Sequence, residues 1–367
     1  MSQENILHQV LELGQSMWCD FLSRDLLRSG KLDRMIELGV RGVTTNPSIF
    51  EIAIGKTSDY DDDIREMNGN GMNVEQIYTA LTVADVREGA DRFLPVFESS
   101  DGGDGFVSLE VSPLLCHDEE GTVQEAERLF SLVSRKNVMI KIPATPAGMG
   151  AIRRCIALGI NVNATLIFSR EQYRSVAEAW LSGLEERVSR GDPVTGIASV
   201  ASLFVSRVDT AVDKILEKSG AKELAGKLAV DNARAAYADF EKIVASDRWS
   251  ALSAQGALVQ RPLWASTGTK NPSYSPTLYV DSLIGPHTVN TLPPATLEAF
   301  LESGTAAYTV SADREEGTAR LAHLSSLGID LGGVMDTLLK EGLEAFEKAY
   351  ATLLEGIEKK GNLLSFR

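Results

Sequence analysis

Short apolar or alternating runs recur along the chain, separated by longer stretches with helical period. They predict strands at Ser16–Leu22, Gly42–Pro47, Phe106–Ser112, Val138–Pro143, Ile160–Phe168, Gly196–Phe204, Arg261–Thr267 and Leu278–Ile284. Amphipathic stretches between them, Leu26–Leu38, Val123–Arg135, Ala147–Leu158, Glu171–Val188 and Thr210–Lys218, predict helices. Strands alternating with helices build parallel sheets, because the helix carries the chain back across the sheet. The expected fold is therefore α/β, a (β/α)8 TIM barrel, with an open doubly wound sheet as the alternative. Two stretches exceed simple connections: Glu51–Asp101, where Val74–Phe97 has helical period, and Ala221–Trp249, which also reads as helix. From Pro294 the chain reads as helical almost to its end, with a break at Gly328-Ile329-Asp330 and a fraying tail at Gly361-Asn362. The barrel should thus carry additional helices at the N-terminus, after strand 2 and at the C-terminus. No repeat or linker divides the chain, so residues 1–367 are expected to form one domain.

One charge breaks the pattern. Lys141 lies inside Val138-Met139-Ile140-Lys141-Ile142-Pro143. Burying an ammonium is costly, and a lysine on a buried strand either snorkels to an edge or does chemistry. Desolvation favours the neutral form of an amine, and a neutral amine attacks carbonyls.

Side chains two apart on a strand share a face, and barrel active sites form at the C-terminal ends of the strands. Glu110 shares a face with Ser108 and Ser112, and Thr44 with Asn46. Asn161, Asn163 and Thr165 share another, as do Ser202 and Phe204, with Arg207 just beyond. Asp20 ends the first strand and Ser266 the seventh, with Lys270 following. Any one of these could be a cap or turn former, Asn46-Pro47 and Ser112-Pro113 above all. Together they are better explained as one polar cavity.

Net charge of −15 and a pI near 4.9 argue against nucleic-acid binding. Cys19, Cys116 and Cys155 and the four histidines show no ligand spacing, so no metal is expected. No signal core or membrane-length apolar run appears, which suggests a reduced cytoplasmic protein with no membrane partner. Gly148-Met149-Gly150 lacks a full dinucleotide fingerprint. The Asp59–Asp63 run lacks calcium-loop spacing and reads as a solvated helix start.

A lysine without metal ligands or a cofactor loop points to carbonyl chemistry. The amine adds to a ketone, water leaves, and the iminium draws electrons from the adjacent C–C bond. Glu110 and Asp20 supply the acid and base this requires. Asn, Thr and Ser donors hold substrate hydroxyls. Arg207, Ser266 and Lys270 suit a phosphate.

The motifs form a set. Gly42-Val43-Thr44-Thr45-Asn46-Pro47-Ser48 and Asn137-Val138-Met139-Ile140-Lys141-Ile142-Pro143-Ala144-Thr145 resemble the two signatures of transaldolases. The stretch from Gly159 to Ser169 and Ser202-Leu203-Phe204-Val205-Ser206-Arg207 are similar to further family motifs, in the same order. The resemblance runs from about Trp18 to about Pro293. It implies a metal- and cofactor-free barrel that moves a dihydroxyacetone unit from sedoheptulose 7-phosphate to glyceraldehyde 3-phosphate, giving erythrose 4-phosphate and fructose 6-phosphate. By position it implies Lys141 as Schiff-base former, Glu110 as acid/base through a water oriented by Thr165, and Asp20 as proton acceptor beside the breaking bond. Asn46 and Asn163 would hold donor hydroxyls with support from Ser202, and Arg207 and Ser266 would bind phosphate. Gly268 stands where many relatives carry an arginine, and Lys270 is the expected replacement. The long Glu51–Asp101 insertion and an extended helix between Asp20 and Asn46 fit the longer bacterial-type subgroup. Two alternatives are a fructose 6-phosphate aldolase, disfavoured because Phe204 has no hydroxyl to assist release, and a silent sugar-phosphate binder. The C-terminal helical stretch is most simply a packing element, with covering the barrel or making a dimer contact as the alternatives, in a monomer or homodimer.

Overall fold

The structure, a computed structural model, describes residues 5–365. Eight parallel strands close into a barrel in sequence order. They are β1 Gln15–Cys19, β2 Gly42–Val43, β3 Phe106–Glu110, β4 Val138–Pro143, β5 Val162–Ile167, β6 Ser199–Phe204, β7 Gln260–Ala265 and β8 Thr288–Leu292. The ring closes through β1 and β8, from Gln15 beside Thr288 to Cys19 beside Leu292.

Seven of the expected strands fall where the pattern placed them, mostly shorter at their C-terminal ends. The eighth does not. Leu278–Asp281 is a short helix, and β8 begins seven residues after it. Buried Tyr279, Val280, Leu283 and Ile284 made the segment look like a core strand. The true strand was hidden by polarity: Thr288 accepts from Gln15, and Asn290 accepts from Thr267. A short apolar run fits a strand and a buried helix equally well.

The helices follow local chemistry. Asn73 with Gln76 and Ser169 with Gln172 form capping boxes that open Val74–Ser99 and Arg170–Arg190. The helix expected over Leu26–Leu38 is two, Arg24–Arg28 and Lys31–Glu37, divided where Gly30 takes φ 74°. That also corrects the extended helix expected between Asp20 and Asn46. The Asp59–Asp63 run does open a helix, Asp61–Gly69. The C-terminal region holds Pro294–Ser303, Arg314–Ser326 and Leu331–Ser365, and the Gly328 break falls as expected at φ 71°. Residues 304–313 are not helical, and the last helix runs through Gly361-Asn362 where fraying was expected.

The turn after β4 fixes the strand that carries Lys141. Thr145 caps the helix Pro146–Leu158 by accepting from Gly148 N at 2.9 Å, and donates to Cys116 O at 2.6 Å. A β-carbon on Gly148 would lie 1.9 Å from the Pro143 carbonyl oxygen. Replacing a helical glycine by alanine ordinarily stabilises by about 1 kcal/mol. Here the clash reverses the sign: Gly148→Ala is expected to lower stability by about 2 kcal/mol, read as a lower urea midpoint. An unchanged or raised midpoint would show that the turn has room.

Candidate active site

Strand register assembles the centre. Glu110 pairs with Lys141, and Lys141 with Asn163, so one row crosses β3, β4 and β5. Lys141 Nζ donates to the Thr45 carbonyl at 2.8 Å and lies 3.5 Å from Glu110 Oε2. Only 4% of Lys141 is exposed, so the amine does not snorkel; it is held inside. Asn163 donates to Ser108 Oγ at 3.1 Å and accepts from Ser202 Oγ at 2.6 Å. These bonds fix which way its amide faces.

Above this row, at the C-terminal mouth, sits a pocket of about 200 Å³. Asp20, Thr44, Asn46, Ser48, Lys141, Thr165, Ser202, Phe204, Arg207, Ser266, Gly268, Lys270, Thr291, Pro293 and Phe346 line it. Of the residues given a catalytic or binding role, all are there except Glu110 and Asn163, which lie one layer back, the first beside Lys141 and the second bonded to Ser202. A roomier cavity of about 680 Å³ lies among residues of helices Val74–Ser99 and Glu119–Val133, and Glu110 lines that cavity rather than the pocket at the mouth.

Two side chains combine structural and site positions. Asn46 Oδ1 caps the helix Pro47–Gly55 by accepting from Ile49 N at 3.1 Å, while the residue still lines the pocket. Thr44 Oγ1 lies 2.6 Å from Asp20 Oδ1 and 2.7 Å from Thr291 Oγ1, tying β1, β2 and β8 together. Two candidates from the strand faces lie elsewhere. Asn161 bonds Lys136 O, Val138 O and Ala198 N, a backbone clamp between β4, β5 and β6. Ser112 lines the outer cavity among the helices.

Backbone geometry at the mouth is unusual. Leu166 (φ 57°) and Ser266 (φ 55°) are left-handed non-glycine residues at the ends of β5 and β7. The register of β5 against β6 shifts between Ala164 and Ile167. Such conformations cost about 1–3 kcal/mol each and cluster at functional sites. The Ser266 hydroxyl lies 3.1 Å from that of Ser206, next to Arg207.

Electrostatics separate the groups. Burial pushes the Glu110 carboxyl up to about 7, with Lys141 opposing and Asp20 reinforcing. Burial also raises Asp20, against the pull of Lys141 and the Thr44 hydroxyl. Both Glu110 oxygens and Thr165 Oγ1 are buried without a hydrogen-bond partner, leaving acceptor and donor capacity for a small polar molecule. Burial lowers Arg207, opposed by Glu341, which forms no ion pair with it among the described residues. Its guanidinium stands 5.7 Å from the Phe204 ring centroid. Lys270 is exposed at the rim.

The residues matched by the family described as Transaldolase/Fructose-6-phosphate aldolase are 17–357. The chain belongs to that family. The match extends past the last recognisable motif into the C-terminal helix. Family relatives include a protein named Transaldolase from Saccharopolyspora erythraea, 48% identical over 98% of this chain and 99% of its own. Similar proteins named Transaldolase come from Trichodesmium erythraeum, at 44% identity over 97% of each chain, and Neisseria gonorrhoeae, at 47% over 95% and 98%.

Sequence reasoning missed Ser48, Thr291, Pro293 and Phe346. Thr291 and Pro293 went unseen with β8. Phe346 belongs to the last helix, and helical period alone does not say which buried face overhangs a barrel. The structure favours the alternative in which this helix covers the barrel: Phe346 lies over Lys141, with Nζ 6.0 Å from the ring centroid.

A carboxyl held above its ordinary value binds its proton more tightly folded than unfolded. The folded state therefore loses stability as pH rises from the ordinary glutamate value to about 7, and regains it as pH falls. Glu110→Gln is expected to melt above the wild type near about pH 8, with the gap narrowing toward about pH 5. A gap that is the same at both would contradict the assigned burial cost.

Proposed function

We propose that the chain is a transaldolase that carries a dihydroxyacetone unit on Lys141 between cytoplasmic sugar phosphates. The observation that carries this is a buried amine in one pocket with Asp20, backed by Glu110, with Arg207, which has no ion pair among the described residues, lining the same pocket. The family match and the relatives named Transaldolase support the same reading.

Lys141 attacks the ketone carbon of the donor. Glu110, with a proton affinity near neutrality, gives and takes protons through a water as the carbinolamine dehydrates and the imine later hydrolyses. The unpartnered Thr165 hydroxyl suits holding that water. Asp20 takes the proton of the hydroxyl beside the breaking bond, the aldehyde product leaves, and an enamine remains on Lys141. An acceptor aldehyde then forms the new C–C bond, and Asp20 returns the proton. Asn46 and Asn163 bind the donor hydroxyls. Arg207, Ser266 and Lys270 bind the phosphate, Lys270 from the rim. Arg207, partly buried and without an ion pair among the described residues, fits a dianion well.

Release of free dihydroxyacetone, the aldolase alternative, needs protonation of the enamine carbon. Phe204 offers no hydroxyl for it, which favours transfer.

Incubation with fructose 6-phosphate followed by borohydride reduction tests the reading. A three-carbon adduct is expected on Lys141 by peptide mass mapping, and none in Lys141→Ala. Absence of an adduct in the wild type would overturn the mechanism. Arg207→Ala removes charge-assisted bonds of about 1.5–3 kcal/mol. It is expected to raise KM for phosphorylated donors about 10- to 100-fold, with little effect on unphosphorylated ones. Equal effects on both would remove the phosphate role.

A further inference from the structure

The helix Leu331–Ser365 lies across the barrel mouth, and one stripe of it, spaced four residues apart, meets the site. A β-carbon on Gly342 would stand 3.1 Å from Leu166 and 3.7 Å from Arg207, so the helix axis passes close over β5 and the arginine. One turn on, Phe346 lines the pocket and faces the Lys141 amine at 6.0 Å. Another turn on, the Tyr350 ring packs edge-on against Tyr78 at 5.2 Å. Tyr350 lines the larger cavity next door, and Phe346 is only 5% exposed. Phe204 is the other aromatic residue in the pocket lining. Neither ring can donate a proton, whereas Glu110 and Thr165 provide polar atoms around the amine.

We propose that Phe346 is a specificity-determining residue that sets the fate of the amine-bound three-carbon intermediate, by keeping bulk water off its nucleophilic carbon. This rests on the function proposed above. The enamine has two exits. In transfer, its carbon attacks an aldehyde, the new alkoxide takes a proton from Asp20, and one water hydrolyses the resulting iminium. In release, the same carbon first takes a proton from solvent, and one water then splits the iminium into dihydroxyacetone and the free amine. Both exits consume one water at the iminium, which Glu110 can serve. Only release also requires a proton donor at the carbon. The Phe346 ring occupies space over Lys141 that would otherwise open to the solvent-facing pocket, so the aldehyde meets the enamine before a proton donor does.

The experiment measures dihydroxyacetone released per transfer event, with fructose 6-phosphate as donor and an aldehyde phosphate as acceptor. Borohydride adduct per chain counts the competent sites, so unfolded molecules drop out. Phe346→Ala is expected to raise the release-to-transfer ratio by about tenfold, one decade of differential barrier. Phe346→Tyr keeps the ring packing but adds a hydroxyl, and is expected to raise the ratio too. Phe346→Leu, which refills the space with apolar bulk, is expected to stay near wild type. Should Phe346→Ala give no adduct, the Tyr variant decides alone. Adduct formation with ratios unchanged in the Ala and Tyr variants would overturn the role of Phe346 and leave the Schiff-base reading standing. No adduct in the wild type would instead overturn the reading on which this proposal rests.

Discussion

The site depends on an amine kept inside a close-packed barrel. Lys141 is nearly inaccessible, yet it has a carbonyl at 2.8 Å and a carboxylate at 3.5 Å. A buried charge without partners costs several kcal/mol, and partners of moderate geometry repay only part of that. The same imbalance raises the proton affinity of Glu110 and Asp20, because burial outweighs their attraction to one shared cation. Glu110, with a proton affinity near neutrality, and Asp20, with a raised one, stand around one amine, a setting suited to proton exchange. The proposed chemistry rests on where β4 places this lysine.

The barrel pays for polarity differently at its two ends. Near the N-terminal ends of the strands, Asp104 accepts from Ser16 and from Trp18 Nε1, and it pairs with Arg41 and Arg261. Arg261 also donates to the Thr288 carbonyl at 2.6 Å. That network is crowded with partners and reads as a lock. At the mouth, the Glu110 oxygens and Thr165 Oγ1 lack hydrogen-bond partners among the described residues, Glu110 keeping its 3.5 Å ion pair with Lys141, and Leu166 and Ser266 hold left-handed conformations. Buried atoms without partners and left-handed backbone also occur at the opposite end, at Gln15, Gln260 and His287, but at the mouth they fall beside the pocket, where substrate would satisfy them.

Much of this was legible in the sequence, because strand alternation is a short-range rule. Lys141, Thr165 and Ser202 face the pocket because their strands leave them no other side, and the register that sets Glu110 beside Lys141 follows from neighbouring β3 and β4. Asn161 shows the limit of the same rule: it shares a face with Asn163 but sits too near the start of β5, where its amide closes backbone gaps. β8 failed because its polar residues bond to neighbouring segments, and a buried helix supplied a better apolar run. Phe346 could not be read at all. Its place over Lys141 depends on how a 35-residue helix crosses the barrel, a tertiary fact with no local signature.

The central claim is that three carbons travel on Lys141 from one sugar to another. Fructose 6-phosphate labelled with carbon-13 in its first three carbons, mixed with erythrose 4-phosphate, tests it by NMR. The account predicts label in the first three carbons of a seven-carbon ketose phosphate, with no label transferred by Lys141→Ala. Label that stays in the donor, or that appears only as free dihydroxyacetone, would contradict it.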